Sequence, residues 1–155
     1  MNRIRTLALM ENAVRRLKES GAGDKDVFEF SLSCFEKTPY LRGKDRPEES
    51  DCSGTVCRAL SCTYGRYIRV TADELYRHYF TKTPDSDGGI CAVFFIDGTG
   101  KAVHVAGYAG NGLFMNESQC EPGRCGTFRT AAELRKMYGS FRIEERGLAA
   151  EVVRR

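Results

Sequence analysis

The residues best suited to chemistry are the run Asp51-Cys52-Ser53-Gly54 and the two histidines of the chain, His78 and His104. Cys52 stands where a charged loop gives way to small residues, then to a helical pattern with Val56, Ala59 and Leu60 on one side. It therefore opens a helix, and the free N–H groups and positive dipole end there favour a thiolate over a thiol. A cysteine so placed acts as a nucleophile when a base reaches it. His104 lies in Val103-His104-Val105-Ala106-Gly107-Tyr108, a strand pattern that runs into a tight turn. His78, in Tyr76-Arg77-His78-Tyr79, belongs to a polar helix and reads as solvent-exposed. A polar residue on the next strand should share a hydrogen bond with the ring of His104 and fix its tautomer. Asn116 is the candidate, with Glu117 as runner-up. Taken singly, a buried cysteine, a core histidine and a strand-end amide each have a plain structural role. Their order along the chain is what favours chemistry.

The elements that must position these groups fall into two blocks. Residues 3 to 19 read as an amphipathic packing helix, with Ile4, Leu7, Met10, Val14 and Leu17 at three- and four-residue steps and a solvated basic face. Asp24 or Asp26 caps a second helix through Val27, Phe28, Phe30, Leu32 and Phe35. A charged loop with no apolar periodicity leads to the Cys52 helix, which runs to about Cys62. Thr71 and Glu74 form a capping box for a further helix. After Pro84-Asp85-Ser86-Asp87-Gly88-Gly89 the period changes to that of strands: Cys91 to Ile96, Ala102 to Tyr108, Leu113 to Asn116, Gly126 to Arg129 and Ser140 to Glu145, with a short helix from Ala131 to Tyr138. Helices followed by an antiparallel meander predict a single α+β domain over residues 1 to 155.

Composition narrows the partners. A net charge of +3 suits an anionic surface such as a cell wall, and is too small and dispersed to argue for nucleic acid. No stretch could span a membrane. The apolar run Leu7-Ala8-Leu9-Met10 is stopped by Glu11, so the N-terminus does not read as a signal peptide and the expected site of synthesis is a cytosol. There the seven cysteines are expected as thiols. Cys52, Cys57 and Cys62 are five apart, which turns successive thiols away from one another on a helix. Cys120 and Cys125 flank a turn, Glu121-Pro122-Gly123-Arg124. None of these spacings is that of a zinc site, and no metal or other cofactor is expected.

Asp51-Cys52-Ser53-Gly54 resembles the nucleophile motif of the NlpC-type cell-wall peptidases, the NlpC and p-sixty family. Thr38-Pro39-Tyr40-Leu41-Arg42-Gly43 is similar to the family's Thr-Pro-Tyr segment. Val93-Phe94-Phe95, then His104-Val105-Ala106-Gly107-Tyr108-Ala109-Gly110-Asn111-Gly112-Leu113-Phe114-Met115, resembles its strand, histidine hairpin and Gly-Asn-Gly turn. The resemblance spans roughly residues 27 to 146. Two departures stand out: Asn116 occupies a position that is most often a second histidine, and the loop from Gly43 to Asp51 is charged where the family is often rich in glycine and serine.

The resemblance implies a papain-like fold and cysteine peptidase chemistry on peptidoglycan stem peptides, at the bond from D-γ-glutamate to the diamino acid. It implies Cys52, His104 and Asn116 as catalytic residues, with the oxyanion held by the Cys52 backbone N–H and the Tyr40 hydroxyl. Tyr40, Asp51 and Ser53 would hold the L-Ala-D-γ-Glu part of the stem, Asp51 otherwise being a helix cap. With no leader expected, a phage or prophage lysin, or a cytosolic enzyme recycling wall peptides, is the implied setting. The alternatives are an amidase or acyltransferase of the CHAP type and a non-catalytic wall-binding module.

Overall fold

Apolar side chains alternate along the strands, and each face of the sheet is covered by different helices. In β3 (Cys91–Ile96), Ala92, Phe94 and Ile96 face the larger core while Val93 and Phe95 face the smaller one. The computed structural model describes residues 4 to 84 and 89 to 154, so residues 85 to 88 of the expected turn and Arg3 of the first helix lie outside it. The other long strands are β4 (Ala102–Gly110), β5 (Leu113–Glu117), β6 (Gly126–Thr130) and β7 (Arg142–Gly147); β1 (Asp45–Arg46) and β2 (Glu49–Ser50) are short and come earlier in the chain. The five-stranded antiparallel sheet has the order β6-β5-β4-β3-β7. Strands β3 to β6 form the expected meander. β7 instead crosses to the far side and pairs with β3, after α5 (Ala131–Met137) has packed Leu134 into the smaller core.

The helices precede the sheet, as the α+β class requires. α1 (Leu7–Glu19) begins at Leu7 because the Thr6 side chain accepts from the Leu9 amide and caps it. It packs Met10 and Val14 into the larger core. α2 (Asp24–Ser33) is preceded by Gly23 at the cap position, with no side-chain cap bond. Asp24 and Asp26 lie in its first turn, where carboxylates complement the helix dipole, rather than capping it. The Thr71–Glu74 capping box is present at α4 (Ala72–Glu74), which widens at once into a π-helical turn, Leu75–Tyr79. That turn buries Leu75 and leaves His78 exposed. A last short helix, α6 (Ala150–Val153), buries Ala150 and Val153; four residues are too few to show a period.

The charged loop before Asp51 is a small hairpin, β1 (Asp45–Arg46) against β2 (Glu49–Ser50). Its charge has a structural use. Arg58, deep in α3 (Cys52–Tyr64), donates from Nε to the Asp45 carbonyl at 2.9 Å and from Nη2 to Asp45 Oδ2 at 3.0 Å. The Tyr67 hydroxyl donates to the same oxygen at 3.0 Å. Because both ions are largely buried, removing one partner would strand the other. The pair ties the hairpin to the helix it feeds, and so helps fix where Cys52 begins.

Candidate active site

Cys52 is the first residue of α3, and Asp51 is its N-cap: Oδ1 accepts from the Gly54 amide at 2.7 Å. The helix start is pressed against the hairpin. A Cβ on Gly54 would lie 2.0 Å from the Lys44 carbonyl oxygen, so only glycine fits at the fourth position of the cysteine motif. Asp51 Oδ2 accepts from the Gly43 amide at 2.7 Å. Arg69 completes this side. Its Nη2 donates to both Asp51 oxygens, at 3.1 and 3.0 Å, and its Nη1 to Ser53 Oγ at 3.0 Å. Ser53 in turn donates to Asp51 Oδ1 at 3.3 Å. Asp51 and Ser53 are thus adjacent to the nucleophile and tied to one guanidinium. Nothing in the local sequence marks Arg69, which reaches them only because the chain doubles back after the left-handed Gly65 cap.

On the other side, His104 and Asn116 meet at 2.7 Å between Nε2 and Oδ1. Their shared face depends on the hairpin end. Asn111 and Gly112, both at positive φ, make a two-residue turn that pairs Gly110 with Leu113. An extra residue, Ala109, then bulges from β4, so that Tyr108 opposes Phe114 and Gly107 opposes Met115. Without the bulge the two side chains would lie on opposite faces. The hairpin end is therefore irregular, with Gly110 next to the extra residue. Glu117 is the next residue along β5; it projects to the opposite face and is fully buried.

Behind Asn116 lies a network that the sequence does not announce. Asn116 Nδ2 donates to Glu121 Oε2 at 2.8 Å and to the Tyr138 hydroxyl at 3.3 Å. Tyr138, at the end of α5, donates to Ser118 Oγ at 2.8 Å and stacks on the imidazole, ring centroids 5.0 Å apart. The Glu121 side chain is fully buried and paired with Arg129 of β6, whose Nε bonds Oε2 at 3.0 Å and Nη2 bonds Oε1 at 2.5 Å. These contacts join residues 104, 116, 118, 121, 129 and 138, and no single local pattern contains them.

The two sides meet at β4. The backbone amides of Val105, the residue after His104, and of Ser53 are directed at the Cys52 sulfur. Burial pushes that thiol up to about 12, against the pull of those amides and of Arg69. Burial likewise lowers the imidazolium of His104, opposed by Asn116 and by the charge on Glu121. The expectation from the helix dipole alone was a lowered thiol; desolvation is the larger effect. Each group by itself is held toward its neutral form by burial. The Tyr40 hydroxyl is raised by burial and by the nearby Cys52 and Asp51, and so remains a donor. Tyr40 is held by its amide to the Arg124 carbonyl at 2.9 Å and by a bridge to Ser50.

The remaining expected or conspicuous groups lie elsewhere. His78 is exposed on its helical turn. All seven cysteines are free thiols, with Cys120 exposed and Cys125 half-buried. Among the described residues no group of three or more His, Cys, Asp or Glu could hold a metal ion, and no helix is long and apolar enough to cross a membrane. A groove of about 440 Å³ between α1 and the far end of α3, lined by Arg15, Lys18, Arg58, Arg66 and Tyr67 among others, contains none of the site residues.

Residues 37 to 139, which hold every group of the site from Tyr40 to Tyr138, match the model of the NlpC/P60 family. The chain belongs to the NlpC/P60 family. Solved NlpC/P60 structures share its fold at low identity. NlpC1 from Trichomonas vaginalis is 21% identical with a TM-score of 0.61, over 82% of this chain and 44% of its own. The NlpC/p60 domain of the peptidoglycan hydrolase SagA is 20% identical with a TM-score of 0.56, over 76% of this chain and 93% of that domain. A lipoprotein-like NLP/P60 protein from Staphylococcus aureus is 19% identical with a TM-score of 0.61, over 81% and 41%. The chain thus spans less than half the length of the Trichomonas and Staphylococcus proteins. No curated protein matches it.

Proposed function

We propose that this NlpC/P60 chain is a cysteine peptidase that hydrolyses peptidoglycan stem peptides between D-γ-glutamate and the diamino acid. The observation that carries the reading is the His104 Nε2 bond to Asn116 on a strand whose next amide faces the Cys52 sulfur. With Nε2 engaged, Nδ1 is the nitrogen left to serve as base. The Cys52 proton passes to Nδ1 as the sulfur attacks the γ-carbonyl carbon. The oxyanion takes hydrogen bonds from the Cys52 N–H, one of the helix-start amides with no intrahelical acceptor, and from the Tyr40 hydroxyl. The C–N bond breaks as the imidazolium returns its proton to the leaving amine. Water then attacks the thioester, giving its proton to Nδ1. The carboxylate product leaves and the thiol is restored.

The same reading assigns the L-Ala-D-γ-Glu portion to Tyr40, Ser53 and Asp51. Asp51 already accepts five hydrogen bonds, from Gly43, Gly54, Ser53 and twice from Arg69. Any pull on a free L-Ala ammonium is therefore shared with Arg69. Comparing kcat/KM for free and N-acetylated L-Ala-γ-D-Glu-diamino acid measures it. A preference for the free amine that weakens in Asp51→Asn supports the role and suits recycled peptides or lysis after an amidase. Equal rates leave Asp51 as cap and Arg69 partner, with intact wall as the better substrate. The primary test is digestion of muropeptides by the unmodified protein, with product masses. Cleavage after D-γ-glutamate that disappears in Cys52→Ala is the expected result. Release of whole stems from the glycan would instead make the chain an amidase, and binding to wall without turnover would make it a binding module.

A further inference from the structure

An amide as third member has a weakness that a second histidine lacks in this form: its two ends are nearly alike in size and opposite in polarity. With oxygen toward the ring, Asn116 fixes the proton on Nε2 and frees Nδ1 to face the thiol. With nitrogen toward the ring, it would demand an unprotonated Nε2, place the proton on Nδ1 and leave Cys52 without a base. Something must choose between the two. Asn116 is fully buried, so water does not.

We propose that Glu121 is the positioning residue that makes Asn116 a working third member, by locking its amide with the oxygen toward His104. The inference rests on the cysteine peptidase reading of Cys52 and His104. A carboxylate paired with a guanidinium only accepts hydrogen bonds, so the group facing Glu121 Oε2 at 2.8 Å must be the Asn116 NH2. That leaves Oδ1 for His104 Nε2 at 2.7 Å. The Tyr138 hydroxyl does not compete, because its own proton is given to Ser118 and it too accepts from Nδ2. Arg129, bonded to both Glu121 oxygens, keeps the carboxylate aimed. Arg129 also pairs with Glu133 across one turn of α5, so the aim is set from the helix as well as from the strand.

Glu121 acts on the ring a second way, through its charge. The titratable and charged groups that bear on His104 are Tyr138, stacked on the ring with Cys120 beside it, and Glu121 with Arg129; Cys52 is directed at the next residue of the strand, Val105. Of these, Glu121 raises the affinity of the ring for a proton while burial lowers it. Removing the charge without opening the site should therefore move the imidazolium lower still. Mere loosening of the loop would admit water and move it up, toward the ordinary value.

The test uses the full chain and Glu121→Gln, whose amide can present its own NH2 to Asn116 and permit the flip. Two readouts need no knowledge of the substrate. The first is the pH dependence of Cys52 alkylation by iodoacetamide. The second is the ring tautomer by nitrogen-15 NMR, which is simple because only His78 and His104 contribute. The expected results are an Nε2–H tautomer for His104 in the unmodified chain, a mixed tautomer in Glu121→Gln, an acid limb displaced to lower pH, and alkylation slowed roughly ten- to a hundredfold, by analogy with loss of the outer partner of a metal-bound histidine. A folded Glu121→Gln protein with unchanged tautomer, rate and limb would overturn the proposal, as would a limb that moves up. Should that variant not fold, the tautomer of the unmodified chain decides: Nδ1–H overturns the proposal and Nε2–H supports it. If Cys52 in the unmodified chain shows no dependence on His104 at all, it is the peptidase reading that fails.

Discussion

Each half of the site is backed by a carboxylate–guanidinium pair, Asp51–Arg69 behind Cys52 and Glu121–Arg129 behind His104. The two pairs do different work. Asp51 acts on backbone: it caps α3 and draws in the Gly43 amide, so it aims the nucleophile by aiming a helix. Glu121 acts on a side chain, the Asn116 amide, and through it on a ring. Disturbing the first should cost stability along with rate. Disturbing the second should cost rate and some stability, because Glu121 is fully buried, but should leave α3 in place.

The largest effects come from removing the reacting groups themselves. Cys52→Ala should abolish turnover, and iodoacetamide should inactivate the unmodified protein by labelling Cys52 alone among the essential thiols. His104→Gln should lose roughly two to four orders of magnitude in kcat/KM, as for a lost general base. Retained activity in either would dissolve the comparison. Next comes Gly54→Ala, which forces a methyl into the Lys44 carbonyl; melting should fall by the equivalent of about 1–3 kcal/mol, with turnover falling too. Asn116→Ala, on the other side, should cost rate out of proportion to melting: it leaves buried Glu121 and His104 groups unpaired but does not push on α3. If it melted as early as Gly54→Ala, the two sides would not differ as argued.

The halves should also set opposite pH limits. Cys52 and Cys57 hold their protons up to about 12 and 11 in the folded chain, against an ordinary 9.0, so unfolding releases protons above pH 9 and stability falls from there to about 12. His104 is depressed below its ordinary 6.5, so the unfolded chain binds the extra proton and stability falls as pH drops below about 6.5. Melting curves across pH should show both limbs, with the acid one lost in His104→Gln. The smallest effect belongs to His78→Gln: the residue is exposed on its turn, and turnover should stay within a few-fold of the unmodified protein.

The same contrast explains what could be read before the fold was known. The Cys52 side is local: loop, cap residue, small residues and helix period lie within about a dozen positions, and local order is what sequence patterns record. The strand from Cys91 to Ile96 and the Gly-Asn-Gly turn were legible for the same reason. Arg69, Glu121, Arg129 and Tyr138 were not. Each is an ordinary charged or aromatic residue in its own stretch, and only the pairing of β6 with β5 and the packing of α5 bring the last three to Asn116. The first-turn carboxylates of α2 were misjudged as caps because Gly23, with no side chain to offer, fills that place.

The bulge at Ala109 shows that this active site depends on where its hairpin changes length as well as on its residues. Deleting Ala109 would leave Tyr108 still opposite Phe114, so that end of the hairpin tolerates loss of a residue. A single insertion between Phe114 and Met115 would carry Asn116 to the opposite face and present Met115 to the imidazole. Insertions and deletions near the turn should therefore be accepted in the lineage of this chain, while the spans from His104 to Tyr108 and from Phe114 to Asn116 should keep a constant count even where their side chains drift. Length variants at those two places would show whether the site is maintained by counting as much as by chemistry.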